Sequence, residues 1–355
     1  MRILQVIDKL NIGGAERVCV DLTNILNKNN IDVDVLCLLD KADLDEELHP
    51  EIQVVYLRRS NKYSLLKLIR LFRICREYDI VHLHSRHVLR YVGLLLLVIP
   101  NFLIPFKVVF QDHYGRIDID QSISSLLKLQ LSKVDLYLGV SSTLLHWYSK
   151  IFPEKNNHFL FSNIISKNTG FSRKIGHFGK DMDRIDMVMV GNFREQKNYE
   201  FAIELFSTLP DSFTLTIYGN SVDLSYFRKI ERMINEYGLS NRISILSGIK
   251  SVQNELNSYN LALHCAESET GPLVAIEYLS NSLPFLMFDS GQVADQIRND
   301  IPNLLINNYD LDDWKNGIFY LINNYSSTQS KMKLFFENNY SEQEYFNRYM
   351  QYCSE

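Results

Sequence analysis

The chain has 355 residues, 46% hydrophobic and 22% charged, the composition of a globular protein long enough for two domains. A formal net charge of −5 excludes wholesale nucleic-acid binding through a basic surface. The cysteines (Cys19, Cys37, Cys75, Cys265 and Cys353) form no Cys-x-x-Cys pair and are odd in number, which excludes a disulfide framework or zinc ribbon and fits a reducing, cytoplasmic setting.

The opening Met1-Arg2-Ile3-Leu4-Gln5-Val6-Ile7 reads as a buried strand over 2–7 rather than as a secretory leader. A helix over 14–28 and a strand over 33–39 follow. Helix 63–77 leads into strand 80–84, helix 88–98 into strand 107–111, and helix 123–132 into strand 135–140. Ser141-Ser142 caps the next helix. The apolar run from Val92 to Phe110 is broken by Pro100, Asn101 and Pro105, too short for the roughly 20 residues of a membrane span. Residues 166–184, rich in Ser, Lys, Gly, Asn and Asp, read as a linker. Alternation then restarts with strands over 185–190, 213–218, 243–246, 260–264 and 285–288. Helices are expected over 198–207, 223–236, 251–257, 273–281, 292–299 and 329–353. Such alternation implies parallel sheets with helices on both faces, and ligands at the strand carboxyl ends or in the cleft between two units.

The most informative segment is Glu267-Ser268-Glu269-Thr270-Gly271-Pro272-Leu273-Val274-Ala275-Ile276-Glu277. Proline suits a first helical position, so the amides of Leu273 and Val274 point out of a helix start that favours an anion such as a diphosphate. Glu277 is a lone acid within an apolar helix and calls for a partner or ligand. Two acids thus flank an anion site, which suits a phosphorylated ligand bearing hydroxyls.

Weaker signals accompany it. Gly13-Gly14 follows the first strand and allows close backbone approach, without a full GxGxxG. Arg194 and Lys197 follow the strand ending at Val190 and suit phosphate oxygens, against a reading as solvated cations. His113 ends a strand, and His82 and His84 share one face of another, each weighed against a structural role. Asp118-x-Asp120 and Asp181-x-Asp183 lack the shared context a metal site needs, and no metal ligand set is assigned. The basic stretch 58–76 carries Lys67, Arg70, Arg73 and Arg76. It reads either as a peripheral contact to an anionic membrane at its inner face or as a solvated helix, because a three-residue repeat drifts around the helix axis.

In this order, these pieces resemble the large retaining glycosyltransferase family 4, of GT-B fold. The resemblance rests on Gly13-Gly14-Ala15-Glu16-Arg17-Val18, Asp79-Ile80-Val81-His82-Leu83-His84, His113, Gly139-Val140-Ser141, Ser162-Asn163 and Gly191 to Lys197. The specific part is the pair Glu269 and Glu277, followed by Pro284 and Asp289-Ser290-Gly291. It implies two Rossmann-like domains facing a central cleft. An N-terminal acceptor-side domain spans 1–165, a nucleotide-sugar-binding domain 185–335, and a helix at 336–355 returns to the first domain. It further implies that Lys197, Arg194 and the amides of Gly271, Leu273 and Val274 bind the diphosphate of a UDP- or GDP-sugar co-substrate. Glu277 would bind the ribose, and Glu269 the donor sugar. Gly13 and Gly14 would approach the phosphates, His113 would face the transferred sugar, and no cofactor or metal would be needed. His113, Glu269 and Lys197 are the catalytic candidates. The acceptor would be a glycan or lipid-linked glycan of surface polysaccharide synthesis. Departures from the family pattern are Asn192 for an arginine, Pro272 for a glycine, Ser282 for a glycine, Gln292 for the second of two glycines, and Asp295 for a glutamate. A nucleotide-sugar epimerase of the same fold, or a non-catalytic partner subunit, are the competing readings.

Overall fold

The computed structural model describes residues 1–59, 65–165, 184–249 and 252–354. In chain order the strands and helices are β1 (Arg2–Ile7), α1 (Gly14–Lys28), β2 (Asp32–Cys37), β3 (Val54–Tyr56), α2 (Leu65–Cys75), β4 (Ile80–His84), α3 (Arg86–Val98), β5 (Lys107–Asp112), α4 (Ser125–Leu131), β6 (Leu136–Gly139), α5 (Ser142–Ile151) and β7 (His158–Leu160). They continue with β8 (Ile185–Val190), α6 (Tyr199–Ser207), β9 (Phe213–Tyr218), α7 (Leu224–Glu236), β10 (Ile243–Leu246), β11 (Leu261–His264), α8 (Leu273–Ser280), β12 (Phe285–Phe288), α9 (Gly291–Ile297), β13 (Leu305–Ile306), α10 (Leu311–Asn323), α11 (Tyr325–Asn339) and α12 (Glu342–Ser354). The chain divides into two compact units, residues 1–166 with 342–355, and residues 167–341.

The first unit is a seven-stranded parallel sheet in the order β3-β2-β1-β4-β5-β6-β7. Apolar runs in β1, β4 and β5 are buried because both sheet faces are covered. Leu71 and Cys75 of α2, Val88 and Val92 of α3, Leu127 and Leu131 of α4, and Leu144 and Trp147 of α5 pack on one face. Leu22, Ile25 and Leu26 of α1 and Tyr345, Tyr349 and Cys353 of α12 cover the other. The cap expected at Ser141 forms, its hydroxyl accepting from the Leu144 amide at 3.3 Å. The second unit is a six-stranded parallel sheet in the order β10-β9-β8-β11-β12-β13.

Several boundaries differ from the sequence reading. The helix expected over 329–353 is two helices, broken at Tyr340-Ser341 after Asn338-Asn339, residues that favour turns and caps over helix interiors. The returning helix therefore starts at Glu342, not at 336. The helix expected over 251–257 is a short 3-10 turn over Glu255–Ser258, with Leu256 its one buried side chain and too little apolar surface to hold a longer helix. Residues 250 and 251 lie outside the described residues. So do 166–183 of the expected linker and 60–64 of the basic stretch.

Candidate active site

In both sheets the strand order reverses between the first and fourth strands of the unit, β1 beside β4 and β8 beside β11. The carboxyl ends of such a strand pair are where open α/β sheets bind ligands. In the second unit this edge carries Lys197, in the turn after β8, and Glu269, in the loop after β11.

The two loops are tied together before any side chain is considered. The Glu267 amide donates to the Gln196 carbonyl at 3.0 Å. Lys197 then lays its aliphatic stem over Gly191, and its ammonium is ion-paired to Glu269 Oε1. Glu269 is only 8% exposed. Burial pushes its carboxyl up, but the Lys197 ammonium and His264 outweigh this and hold it at about 2. At neutral pH Glu269 is therefore a carboxylate, an acceptor for hydroxyl donors and not a proton source. His264, at the end of β11, places its Nε2 3.5 Å from Glu269 Oε1. Burial lowers its pKa, so it stays neutral. Sequence reasoning missed His264; its signal was a polar residue closing the apolar strand Leu261-Ala262-Leu263, five positions before Glu269.

The loop holding Glu269 is backed by the start of α9. The Gln292 amide donates to the Thr270 carbonyl at 2.9 Å, and Gly291 has a φ of +80°. A Cβ at Gly291 would run into the Glu269 carbonyl. Glycine is required there on both counts.

Pro272 is the residue before the first turn of α8, not within it, and no side chain caps this helix start. The first intrahelical donor is the Ala275 amide, bonded to the Pro272 carbonyl, so the Leu273 and Val274 amides precede the helix ladder as expected. Gly271 sits in the loop leading to it. Glu277 is half-buried on α8, with Gln253 Nε2 3.5 Å from its Oε1. Arg194 is exposed, outside the Lys197–Glu269 pair, and forms no ion pair among the described residues. Nearby, the β9 and β10 ends meet through Ser247 Oγ donating to the Gly219 carbonyl and the Gly248 amide donating to Asn220 Oδ1.

In the first unit Gly13 and Gly14 open α1 after β1. Gly13 is extended, at φ −167°, a conformation any residue adopts. His113 follows β5, whose end is anchored by Asp112. That carboxylate accepts from Arg86 at 2.8–3.2 Å and from the Tyr137 hydroxyl at 3.1 Å. The three histidines singled out in the sequence stack in a row. His82 and His84 rings lie 4.4 Å apart and His84 and His113 rings 5.7 Å apart. His84 Nε2 meets Gln5 Oε1 at 2.7 Å. If Gln5 Oε1 accepts that proton, His84 Nδ1 is left as acceptor for His113 Nε2–H, 3.4 Å away. Tyr349 of α12 closes the row at 3.0 Å from His82 Nδ1. Burial lowers all three pKa values, His82 to about 3 and His113 to about 4, so the row is neutral.

These features define a doubly wound α/β protein with a cation, an ionised carboxylate and a helix start without a side-chain cap at the strand ends of its second unit. Residues 12–158 match the family model described as Glycosyltransferase Family 4, and residues 171–338 match that of Glycosyl transferases group 1. The chain is a family 4-like glycosyltransferase of the GT-B fold. It is 24% identical over 296 residues, 78% of each chain, to the capsular polysaccharide biosynthesis glycosyltransferase CapH of Staphylococcus aureus. Among solved structures it resembles HepE of Anabaena in complex with UDP-glucose (TM-score 0.80, 14% identity, covering 100% and 99% of the two chains). It also resembles a variant of S. aureus TarM in complex with fondaparinux, alpha-GlcNAc-glycerol and UDP (TM-score 0.77, 13% identity, covering 100% of both chains).

Proposed function

We propose that the protein transfers a hexose from a UDP- or GDP-sugar to a glycan or lipid-linked glycan acceptor. The reaction retains the anomeric configuration, needs no metal and serves surface polysaccharide synthesis in the cytoplasm. The observation that carries this reading is the Lys197–Glu269 pair at the β8 and β11 ends. Without donor, each charge neutralises the other. On donor binding the diphosphate takes the ammonium and the sugar hydroxyls donate to the freed carboxylate, so neither charge is left buried alone. As the glycosidic bond breaks, charge grows on the leaving diphosphate. Lys197 and the amides of Leu273 and Val274 are fixed where that charge develops. Glu277 takes the ribose hydroxyls. His113 is assigned to the transferred sugar, Gly13 and Gly14 to the phosphates, and Arg194 to a diphosphate contact made only when donor is bound. The UDP and UDP-glucose of the structural neighbours support UDP as the nucleotide, and the capsular relative supports a polysaccharide product.

The test is a thermal-shift screen against UDP, GDP, ADP, CMP and their sugar conjugates, with and without EDTA. A saturable rise with UDP or GDP, unchanged by EDTA and lost in Lys197→Ala, is expected. No rise with any nucleotide would favour the non-catalytic subunit. Interconversion of free nucleotide sugars without acceptor would favour the epimerase. Sugar transfer that EDTA abolishes and magnesium restores would revive the Asp-x-Asp pairs as metal ligands.

A further inference from the structure

The exchange of partners proposed for Lys197 and Glu269 passes through a state with no donor sugar. Before transfer, sugar hydroxyls answer the carboxylate that Lys197 has left. After transfer the sugar belongs to the acceptor, while the diphosphate still holds the ammonium. Glu269, only 8% exposed, would then be a buried carboxylate without its cation, a costly arrangement.

His264 is placed to meet that need. It is 1% exposed, and its Nε2 is buried with no hydrogen-bond partner among the described residues. Nε2 lies 3.5 Å from Glu269 Oε1, the same oxygen that Lys197 pairs with. The ionised carboxylate selects the tautomer with its proton on Nε2, because a ring lone pair there would face a like charge. Closing the gap by about half an ångström brings this N–H into hydrogen-bond range. The groups that favour the charged form of Glu269 are Lys197 and His264, so the second remains when the first leaves. Both supports are fixed. Leu261, Ala262 and Leu263 of β11 are fully buried, and His264 stands in register with Met287 of β12. The backbone at Glu269 is held by its close approach to Gly291 and by the Thr270–Gln292 bond, which leaves the carboxylate as the part that moves.

We infer that His264 is a positioning residue that takes over Glu269 from Lys197 whenever a nucleoside diphosphate occupies the ammonium. The inference rests on the donor site proposed above and adds which side chain balances that site once the sugar has left. Its weight falls unequally on the two complexes. With a sugar nucleotide bound, hydroxyls share the carboxylate with His264. With the bare diphosphate, His264 acts alone. Loss of its N–H therefore weakens the product complex more than the donor complex, whereas a histidine that only filled the core would affect both alike.

The test is titration calorimetry of the full chain with UDP and UDP-glucose, and with GDP and GDP-mannose. His264→Leu removes the N–H and keeps an apolar bulk. Affinity for the diphosphate should fall about tenfold or more, the weight of a hydrogen bond to a charged group, and affinity for the sugar nucleotide distinctly less. His264→Gln, whose amide N–H replaces the Nε2–H, should restore most of the diphosphate affinity. Equal losses for the two ligands, or no rescue by glutamine, would overturn the assignment. Urea unfolding without nucleotide tests the same partnership independently. In Lys197→Met the free protein has already lost the cation, so adding His264→Leu should lower the midpoint further than it does in the wild type. If that double variant does not fold, Glu269→Gln gives the converse comparison, and His264→Leu should lower the midpoint less there than in the wild type. The same shift in every background would refute the exchange. Wild-type protein that binds neither UDP nor GDP would overturn the donor reading, and the exchange with it, even where the urea shifts keep their order.

Discussion

Glu269 is a carboxylate because Lys197 stands beside it, and the two residues should fail in different ways. Lys197→Ala leaves a buried carboxylate without its cation and would remove the proposed diphosphate contact. Donor turnover or affinity should fall at least tenfold, about 1.4 kcal/mol. Glu277→Ala should cost a similar factor, mainly in donor KM, because the proposed ribose contact would be made equally in ground and transition states. Wild-type kinetics for either variant would remove it from the site. The histidine row makes a prediction of another kind. His82, His84 and His113 have folded pKa values below that of a free imidazole, so between about pH 6.5 and pH 4 the unfolded chain binds protons the folded chain refuses. Their stabilising share is whole above that window and is lost as pH falls through it. Urea unfolding at pH 7 and pH 5 should therefore show a shallower loss in His82→Gln than in the wild type. An unchanged slope would mean that His82 does not enter that balance.

At the scale of elements, two backbone positions separate what the sequence declares from what it conceals. Gly291 sits at φ +80° against the Glu269 carbonyl. Gly291→Ala should destabilise by about 1–2 kcal/mol and weaken donor binding by displacing Glu269. Ser282, where the family pattern has glycine, follows α8 at φ +50°. Ser282→Gly should raise stability by about 1 kcal/mol without touching nucleotide binding. Chemical denaturation with a nucleotide titration checks both. The long apolar strands and the helices with one buried stripe were legible because their pattern is local. The edge strands β3, β7 and β13, of three, three and two residues, were not, since so short a run carries no period. Helix α10 escaped notice although Asp310 caps it, accepting from the Asp312 and Asp313 amides at 3.0 Å. In the site, Glu269 and Glu277 stood out in the sequence as acids beside an apolar helix. The partnership of His264 with Glu269 depends on where a strand ends, which only the fold decides.

Over the whole molecule, the chain leaves its first unit at residue 166 and re-enters it at 342. Helix α12 is thus a late addition to the first core. Tyr345 and Tyr349 pack there with Phe161, ring centroids 4.2 and 5.7 Å away, and Lys28 pairs with Glu342 at 2.8 Å. Tyr349 is fully buried, stacked at 5.5 Å on His82 as well as bonded to it. Removing its ring opens a cavity and strips a buried imidazole of its partner, so Tyr349→Ala should cost about 3 kcal/mol or more. That loss belongs to the first unit, because among the described residues Tyr349 meets His82 and Phe161, both within it. Hydrogen exchange in Tyr349→Ala should therefore quicken in β1, β4 and β5 and stay at the wild-type rate in β8, β9 and β11. The thermal shift with nucleoside diphosphate should persist, since Lys197, Glu269 and α8 sit on the other sheet. Equal quickening in both sheets would mean that the two units unfold as one cooperative body, and α12 would then stabilise the donor site as well as its own core.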